Sequence, residues 1–126
     1  MTYWRLTRIV LLVLLAAAIL VLSLLPQPPL TPRWFAGLDK VQHWIAYGVL
    51  SFLVYITIQS PKEQRVLYFA LTVFVCTMYG GLIEVLQSFT GRKPDVVDFF
   101  VNMFGAVTGS ILGVGLIEIT RSRKPR

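Results

Sequence analysis

The sequence predicts an all-α integral membrane protein, a bundle of four transmembrane helices. The chain of 126 residues is 56% hydrophobic and only 14% charged, whereas an ordinary soluble domain carries about 25% charged residues. Its mean hydropathy is +0.69. Four apolar windows each approach the roughly 20 residues that a bilayer-spanning helix needs. Because they leave little chain for a separate soluble domain, we expect a single membrane domain over residues 1–126.

The first predicted helix covers about residues 8–25 and ends at Pro26. Arg5 and Arg8 followed by an apolar run are also typical of a secretory signal peptide. The run is long, however, and lacks a small-residue cleavage pattern at its end, so we expect it to remain as a helix. The segment PQPPLTPRW that follows has four prolines, which predicts a stiff, non-helical connector.

The second and third predicted helices are joined by a short polar turn, SPKEQR. The second covers about residues 41–59, and Asp39 stands where an N-cap is expected. The third covers about residues 66–86 and carries the only cysteine, Cys76, near its middle. A single cysteine excludes a disulfide framework and a cysteine-based metal motif, so we expect a packing residue.

The fourth predicted helix covers about residues 96–119, and Asp95 is placed to cap its N-terminus. Its small residues recur at every fourth position, a spacing that lets a neighbouring helix approach closely. These residues are Gly105, Gly109 and Gly113. We expect the series to pack against another helix of the same chain, with a seam between copies of the protein as the alternative.

The basic residues predict the orientation of the bundle. With four spans both termini lie on one side of the membrane, together with the turn between the second and third helices. Eight Lys and Arg residues lie on that side and four on the other, which favours cytoplasmic termini. We therefore expect a multi-pass protein of the bacterial cytoplasmic membrane. The net charge of +6 follows from this topology, and we expect no nucleic-acid partner.

Polar residues converge at the end of the bundle away from the termini. Within each helix they are three or four residues apart and so share a face. The candidate ligand-binding and catalytic residues are Asp39, Lys40, His43 and Tyr47 on the second helix, Glu84 and Gln87 on the third, Arg92 in the turn, and Asp95, Asp98 and Asn102 on the fourth. We expect these side chains to point into the bundle and to form an outward-facing polar pocket.

Each of these residues also has a plainer interpretation. Asp39 and Asp95 can be helix caps only, and Lys40 and Arg92 can be snorkelling cations. Asn102 can be a hydrogen-bonding contact between helices. Glu84 is a functional candidate by default, because a carboxylate inside the membrane is costly. Glu84 and His43 are therefore the candidate acid and base.

A metal site is conceivable, because His43 with Glu84, Asp95 and Asp98 supplies one imidazole and three carboxylates. The chain has no HExxH or other metal-ligand spacing that would make such a site specific. We therefore predict no metal ligands, and the sequence indicates no cofactor.

Two segments resemble the VanZ-like family, named for a protein associated with teicoplanin resistance. They are DKVQHWIAYGVLSFL at residues 39–53 and GGLIEVLQSFTGRKPDVVDFFVNMFGAVTGSILG at residues 80–113. Every candidate site residue above matches a recurring polar position of that family. The resemblance implies a four-helix cell-envelope protein and an effect on glycopeptide susceptibility, without a defined reaction.

Three functions remain open on the sequence alone, the last being a structural role in which the polar residues only lock three helix ends together and the protein serves a partner complex. In the first, the pocket binds a membrane lipid or a lipid-linked cell-wall precursor through its headgroup, with Lys40 and Arg92 holding anionic groups by charge-assisted hydrogen bonds. In the second, the protein is a small enzyme that acts on an envelope lipid by acid/base or metal-assisted chemistry, with Glu84 or His43 transferring the proton.

Overall fold

The computed structural model describes residues 3–26, 36–58 and 61–123. It contains four long helices: α1 (Tyr3–Leu24), α2 (Ala36–Ile58), α3 (Arg65–Gln87) and α4 (Val96–Ser122). All four are long and apolar enough to cross a membrane, and the described residues contain no strand. The predicted fold class is therefore confirmed. The proline-rich connector lies outside the described residues.

The helices extend beyond the predicted apolar windows. α1 begins at Tyr3 rather than near residue 8, because its polar residues bond within the helix. Thr7 Oγ1 donates to the Tyr3 carbonyl at 3.0 Å, and Arg8 Nε donates to the Trp4 carbonyl at 3.2 Å. α4 continues to Ser122. Hydropathy windows locate only the apolar part of a helix, so they do not detect its polar ends.

The two predicted helix caps have different outcomes. Asp95 caps α4 as predicted, since its Oδ1 accepts a hydrogen bond from the Val97 amide at 2.8 Å. The prediction that Asp39 caps α2 is wrong, because α2 begins at Ala36 and places Asp39 inside its first turn. There its carboxylate still interacts favourably with the positive end of the helix dipole.

Helices that follow one another along the chain run in opposite directions. At one end, Arg8 of α1 donates to the Ile56 carbonyl of α2 at 2.6 Å, and Arg65 of α3 lies 3.8 Å from Glu118 of α4. α2 and α4 begin at the other end, where α3 finishes. We call this second end the polar end of the bundle.

The tightest packing joins α2 to α4 through their small residues. A Cβ at Gly109 would collide with the carbonyl oxygen of Gly48, and a Cβ at Gly105 would collide with the carbonyl oxygen of Trp44. Gly113 is buried against Tyr55. The glycine series therefore packs within the chain, as predicted. A seam between copies through the same glycines would need a surface that α2 already covers.

Large apolar side chains cover the outside of the bundle, as a lipid-exposed surface requires. α1 lies at the edge of the bundle, and Ile19 is its one buried residue within the described chain. The interior is mixed in character: Tyr47, Cys76 and Ile83 pack in the core, and several polar residues are equally buried. Cys76 is a packing residue, as expected.

Candidate functional site

Lys40 joins α2 to α4 at the polar end. Its Nζ donates to Asp95 Oδ2 at 2.5 Å and to Asp98 Oδ1. It also lies 4.0 Å from Asp39 Oδ2. The two helices begin side by side, so one ammonium group reaches the carboxylates at the start of the other helix. Two of its three N–H donors are used here, and one remains for another partner.

The Lys40 ammonium also fixes the charge of Asp95. Together with the hydrogen bond from the Val97 amide, it lowers the pKa of the Asp95 carboxyl below its usual value, because both interactions favour the ionised form. Asp95 is therefore ionised at neutral pH, and the pair with Lys40 is a true ion pair.

His43 lies one turn further along α2 and faces Asn102 of α4. Its Nδ1 is 2.9 Å from Asn102 Oδ1. Its Nε2 lies 3.8 Å from Asp39 Oδ1 and 3.7 Å from Asp98 Oδ2. Since an amide oxygen only accepts hydrogen bonds, this contact is a hydrogen bond when the Nδ1 atom of His43 carries a proton.

Glu84 approaches the same group from the end of α3. Its side chain is buried, with 7% of the residue exposed. Oε2 accepts a hydrogen bond from the Asp95 amide at 3.1 Å, and the carboxylate interacts electrostatically with His43 and Asp98. Its other oxygen, Oε1, has no hydrogen-bond partner among the described residues.

Besides Glu84 Oε1 and the hydroxyls of Thr57, Thr77 and Ser110, two more buried polar atoms lack a partner within the described chain. They are the Tyr47 hydroxyl and Asn102 Nδ2, on residues that are each 1% exposed. Both side chains pack around Gly80 of α3: a Cβ there would lie 2.9 Å from Asn102 Nδ2 and 3.1 Å from Tyr47 Cε1. Each buried polar group without a hydrogen bond lowers the free energy of unfolding by about 1–3 kcal/mol.

We call the side chains that meet here the polar cluster. It contains eight of the ten residues predicted from the sequence: Asp39, Lys40, His43, Tyr47, Glu84, Asp95, Asp98 and Asn102. The potential metal ligands that come together are Asp39, His43 and Asp98. The set considered from the sequence had Glu84 and Asp95 in place of Asp39.

Gln87 and Arg92 have a different partner from the other predicted residues. Gln87 Nε2 and Arg92 Nη1 donate to the Ser23 carbonyl of α1, at 3.0 Å and 2.5 Å. They tie the end of α1 to the end of α3. Sequence reasoning missed Ser23, because a backbone carbonyl acceptor has no signature in the sequence.

The opposite end carries features that the sequence analysis also missed. Glu118 lies 3.8 Å from Arg65 and 3.5 Å from Arg121, and its position in a late turn of α4 was a usable signal. An apolar groove of about 230 Å³ opens between α3 and α4, next to Arg65. It is remote from the polar cluster and faces the lipid side of the bundle.

A comparison with protein families decides the family of the chain. The model of the family described as VanZ/LLP1 matches residues 3–117. The chain belongs to the VanZ/LLP1 family. No curated protein and no solved structure gives a match to the chain. The segment that matches the VanZ/LLP1 family contains α1, α2, α3 and most of α4, so it includes every residue of the polar cluster. The protein is thus a VanZ/LLP1 family membrane protein with four helices that are long and apolar enough to cross a membrane.

Proposed function

We propose that the protein binds the headgroup of an envelope lipid, or of a lipid-linked cell-wall precursor, in an outward-facing pocket formed by the polar cluster. The observation that carries this proposal is that three of the six buried polar atoms without a partner among the described residues belong to the polar cluster: Glu84 Oε1, Asn102 Nδ2 and the Tyr47 hydroxyl. A ligand that supplies hydrogen bonds to them would remove a cost of about 1–3 kcal/mol for each atom.

The three atoms suit the polar parts of a headgroup. Asn102 Nδ2 is a donor, ionised Glu84 is an acceptor, and the Tyr47 hydroxyl can act as either. Lys40 keeps one N–H donor free of Asp95 and Asp98, and the Arg92 guanidinium has donors beyond the one that Ser23 accepts. Hydroxyl and amide groups of a sugar or peptide, together with phosphate oxygens, match this set of donors and acceptors.

The membrane orientation supports the same proposal. The polar end is opposite the end that carries most of the Lys and Arg residues, so the positive-inside rule favours cytoplasmic termini and an outward polar cluster. The protein is then a multi-pass protein of the bacterial cytoplasmic membrane. Its cluster lies in the leaflet where lipid-linked wall precursors meet glycopeptide antibiotics, and occupancy of the pocket would alter susceptibility to teicoplanin.

The direct test compares two variants of α4 in nanodiscs by native mass spectrometry. The probes are an anionic glycerophospholipid and a polyprenyl-diphosphate-linked muropeptide. Asn102→Ala should weaken binding of the true ligand by about 10-fold or more, since it removes a buried donor. Ser110→Ala is the matched control, because Ser110 is also buried and unpartnered but lies two turns deeper. Equal binding by wild type and Asn102→Ala across both probes would refute the proposal.

Glu84 supports a second candidate function, that of a small enzyme acting on an envelope lipid. Its Oε1 is buried and unpartnered, and the carboxylate lies near His43. A carboxylate and an imidazole in a shielded site are suited to proton transfer. Purified protein would then convert the lipid-linked probe, and Glu84→Gln would be folded and inactive. Unchanged turnover in Glu84→Gln would remove Glu84 from the mechanism.

A further inference from the structure

Three ligand atoms at the polar end face one another at distances too long for hydrogen bonds. His43 Nε2 lies 3.8 Å from Asp39 Oδ1 and 3.7 Å from Asp98 Oδ2, whereas N–H···O bonds are about 2.7–3.2 Å. One ligand atom from each residue lies within 4.8 Å of the others. Two atoms bound to one cation at about 2.1 Å are roughly 3.0–4.2 Å apart, depending on the angle. The two imidazole–carboxylate distances fit a shared cation.

The hydrogen bond between His43 and Asn102 orients the imidazole as a ligand. Because Asn102 Oδ1 accepts from Nδ1 at 2.9 Å, the neutral ring directs the lone pair of Nε2 toward the two carboxylates. Metal-binding histidines almost always donate their other N–H to such an acceptor, which fixes the tautomer and the ring orientation. Without a cation, this lone pair would face two negatively charged groups.

The charges around the three ligand atoms are also unbalanced. Asp39, Asp95 and Asp98 face one cation, Lys40. Counting His43 as neutral, this leaves two formal negative charges. Carboxylates held this close together repel one another, most strongly at the buried Asp98. A divalent cation would neutralise the two excess charges of the aspartates.

Glu84 is an independent indication of a missing partner. It is 7% exposed, its Oε1 has no hydrogen bond to a described residue, and it interacts electrostatically with both His43 and Asp98. It lies on α3, whereas the three ligand residues lie on α2 and α4. A carboxyl group there, beside the three ligand residues, could accept a hydrogen bond from a water or hydroxyl group bound to a cation.

We propose that Asp39, His43 and Asp98 bind a divalent cation at the polar end, with Asn102 as a positioning residue for His43. One imidazole and two carboxylates suit Mn²⁺ or Zn²⁺, because imidazole favours the later transition metals and carboxylates favour harder ions. Three protein ligands leave at least one coordination position open, since both ions bind four or more ligands.

The open coordination position would explain how the proposed pocket holds a headgroup. This part of the inference rests on the proposed function. The three aspartates of the polar cluster face one cation, Lys40, which is already paired with two of them. A bound divalent cation would let this acidic site hold an anionic headgroup, with a phosphate oxygen as its further ligand. The cation would thereby select phosphate-bearing lipids over neutral ones.

The test measures Mn²⁺ binding by electron paramagnetic resonance, with the full chain in nanodiscs of zwitterionic lipid and no added anionic lipid. Wild type should bind one Mn²⁺, displaceable by Zn²⁺, with electron spin echo modulation from a directly bound ¹⁴N nucleus. His43→Gln should lose the ¹⁴N modulation. Asn102→Ala should weaken Mn²⁺ binding by about 10–100-fold, as is usual for residues that orient a ligand.

Asp39→Asn is the variant least able to disturb the fold, because Asp39 is half-exposed and contacts Lys40 only at 4.0 Å. It should weaken Mn²⁺ binding by at least 10-fold. Glu63→Gln, an exposed carboxylate at the opposite end, should leave binding unchanged. Uptake of neither Mn²⁺ nor Zn²⁺ above empty nanodiscs, or equal uptake by wild type and Asp39→Asn, would overturn the proposal.

A second arm separates this inference from the proposed function. The phosphate-bearing lipid probes are added with Mn²⁺ or with a chelator. Tighter binding with Mn²⁺ supports both ideas. Binding that is the same with the chelator would refute the cation's role in holding the headgroup while the pocket stands. Mn²⁺ binding with no lipid binding would refute the headgroup pocket while the cation site stands.

Discussion

Removing the Tyr47 hydroxyl should lower the affinity of the protein for a ligand without lowering its stability. This hydroxyl is 1% exposed and has no hydrogen-bond partner among the described residues. Tyr47→Phe removes an unsatisfied group whose burial costs about 1–3 kcal/mol. We therefore expect the free energy of unfolding to stay the same or to rise by up to about 1 kcal/mol. Ligand affinity should fall by about 2–10-fold, the worth of one hydrogen bond of 0.5–1.5 kcal/mol.

Tyr79→Phe is the matched control, because it makes the same chemical change at a hydroxyl that is already used. Tyr79 donates to the Ala16 carbonyl of α1 at 2.7 Å. Its loss should lower the free energy of unfolding by about 0.5–1.5 kcal/mol and leave ligand affinity unchanged. Unfolding is measured in detergent with a denaturant, and binding by native mass spectrometry. A Tyr47→Phe variant that is destabilised by 1 kcal/mol or more, with unchanged affinity, would refute the reasoning.

Three further predictions concern the framework of the site. Gly109→Ala should destabilise the protein by about 1–3 kcal/mol through overpacking, while Gly115→Ala, where a Cβ has open space, should be neutral or stabilising; thermal unfolding tests both. Lys40→Met should lower the free energy of unfolding by about 1–3 kcal/mol, a value between those of exposed and buried ion pairs. The intermediate value follows because the Lys40 side chain is only 28% exposed. Lys93→Met, at an exposed lysine, should leave the free energy of unfolding unchanged. Arg92→Ala should speed amide hydrogen exchange in the last turn of α1, and unchanged exchange there would contradict its role as a tether.

The fold could be predicted because the bilayer imposes a length on each apolar segment. The start of α2 could not, since Asp39 is equally suited to an N-cap and to a first helical turn. Only the backbone distinguishes the two. The glycine series of α4 did predict its close packing, because a close approach of two helices depends on residues without side chains.

Much of the site could also be predicted, because helical spacing places residues three or four apart on one face. Asp95, Asp98 and Asn102 do meet Lys40 and His43. Helical spacing could not predict that Gln87 and Arg92 bind α1 rather than join the polar cluster. The end of α3 faces both α1 and α4, and the acceptor on α1 is a backbone carbonyl.

The sequence could not reveal which polar atoms lack partners. Whether an atom has a partner depends on small differences in the distances between side chains around Gly80, where Tyr47 and Asn102 pack. The identity of the unpartnered atoms defines the donors and acceptors on which the proposed function depends.

The most direct test of the proposed function is an experimental structure of the protein purified in its native envelope lipids. The account predicts headgroup density within hydrogen-bonding distance of Glu84 Oε1, Asn102 Nδ2 and the Tyr47 hydroxyl. A structure in which these three atoms bond to one another, with no ligand between the ends of α2, α3 and α4, would contradict it.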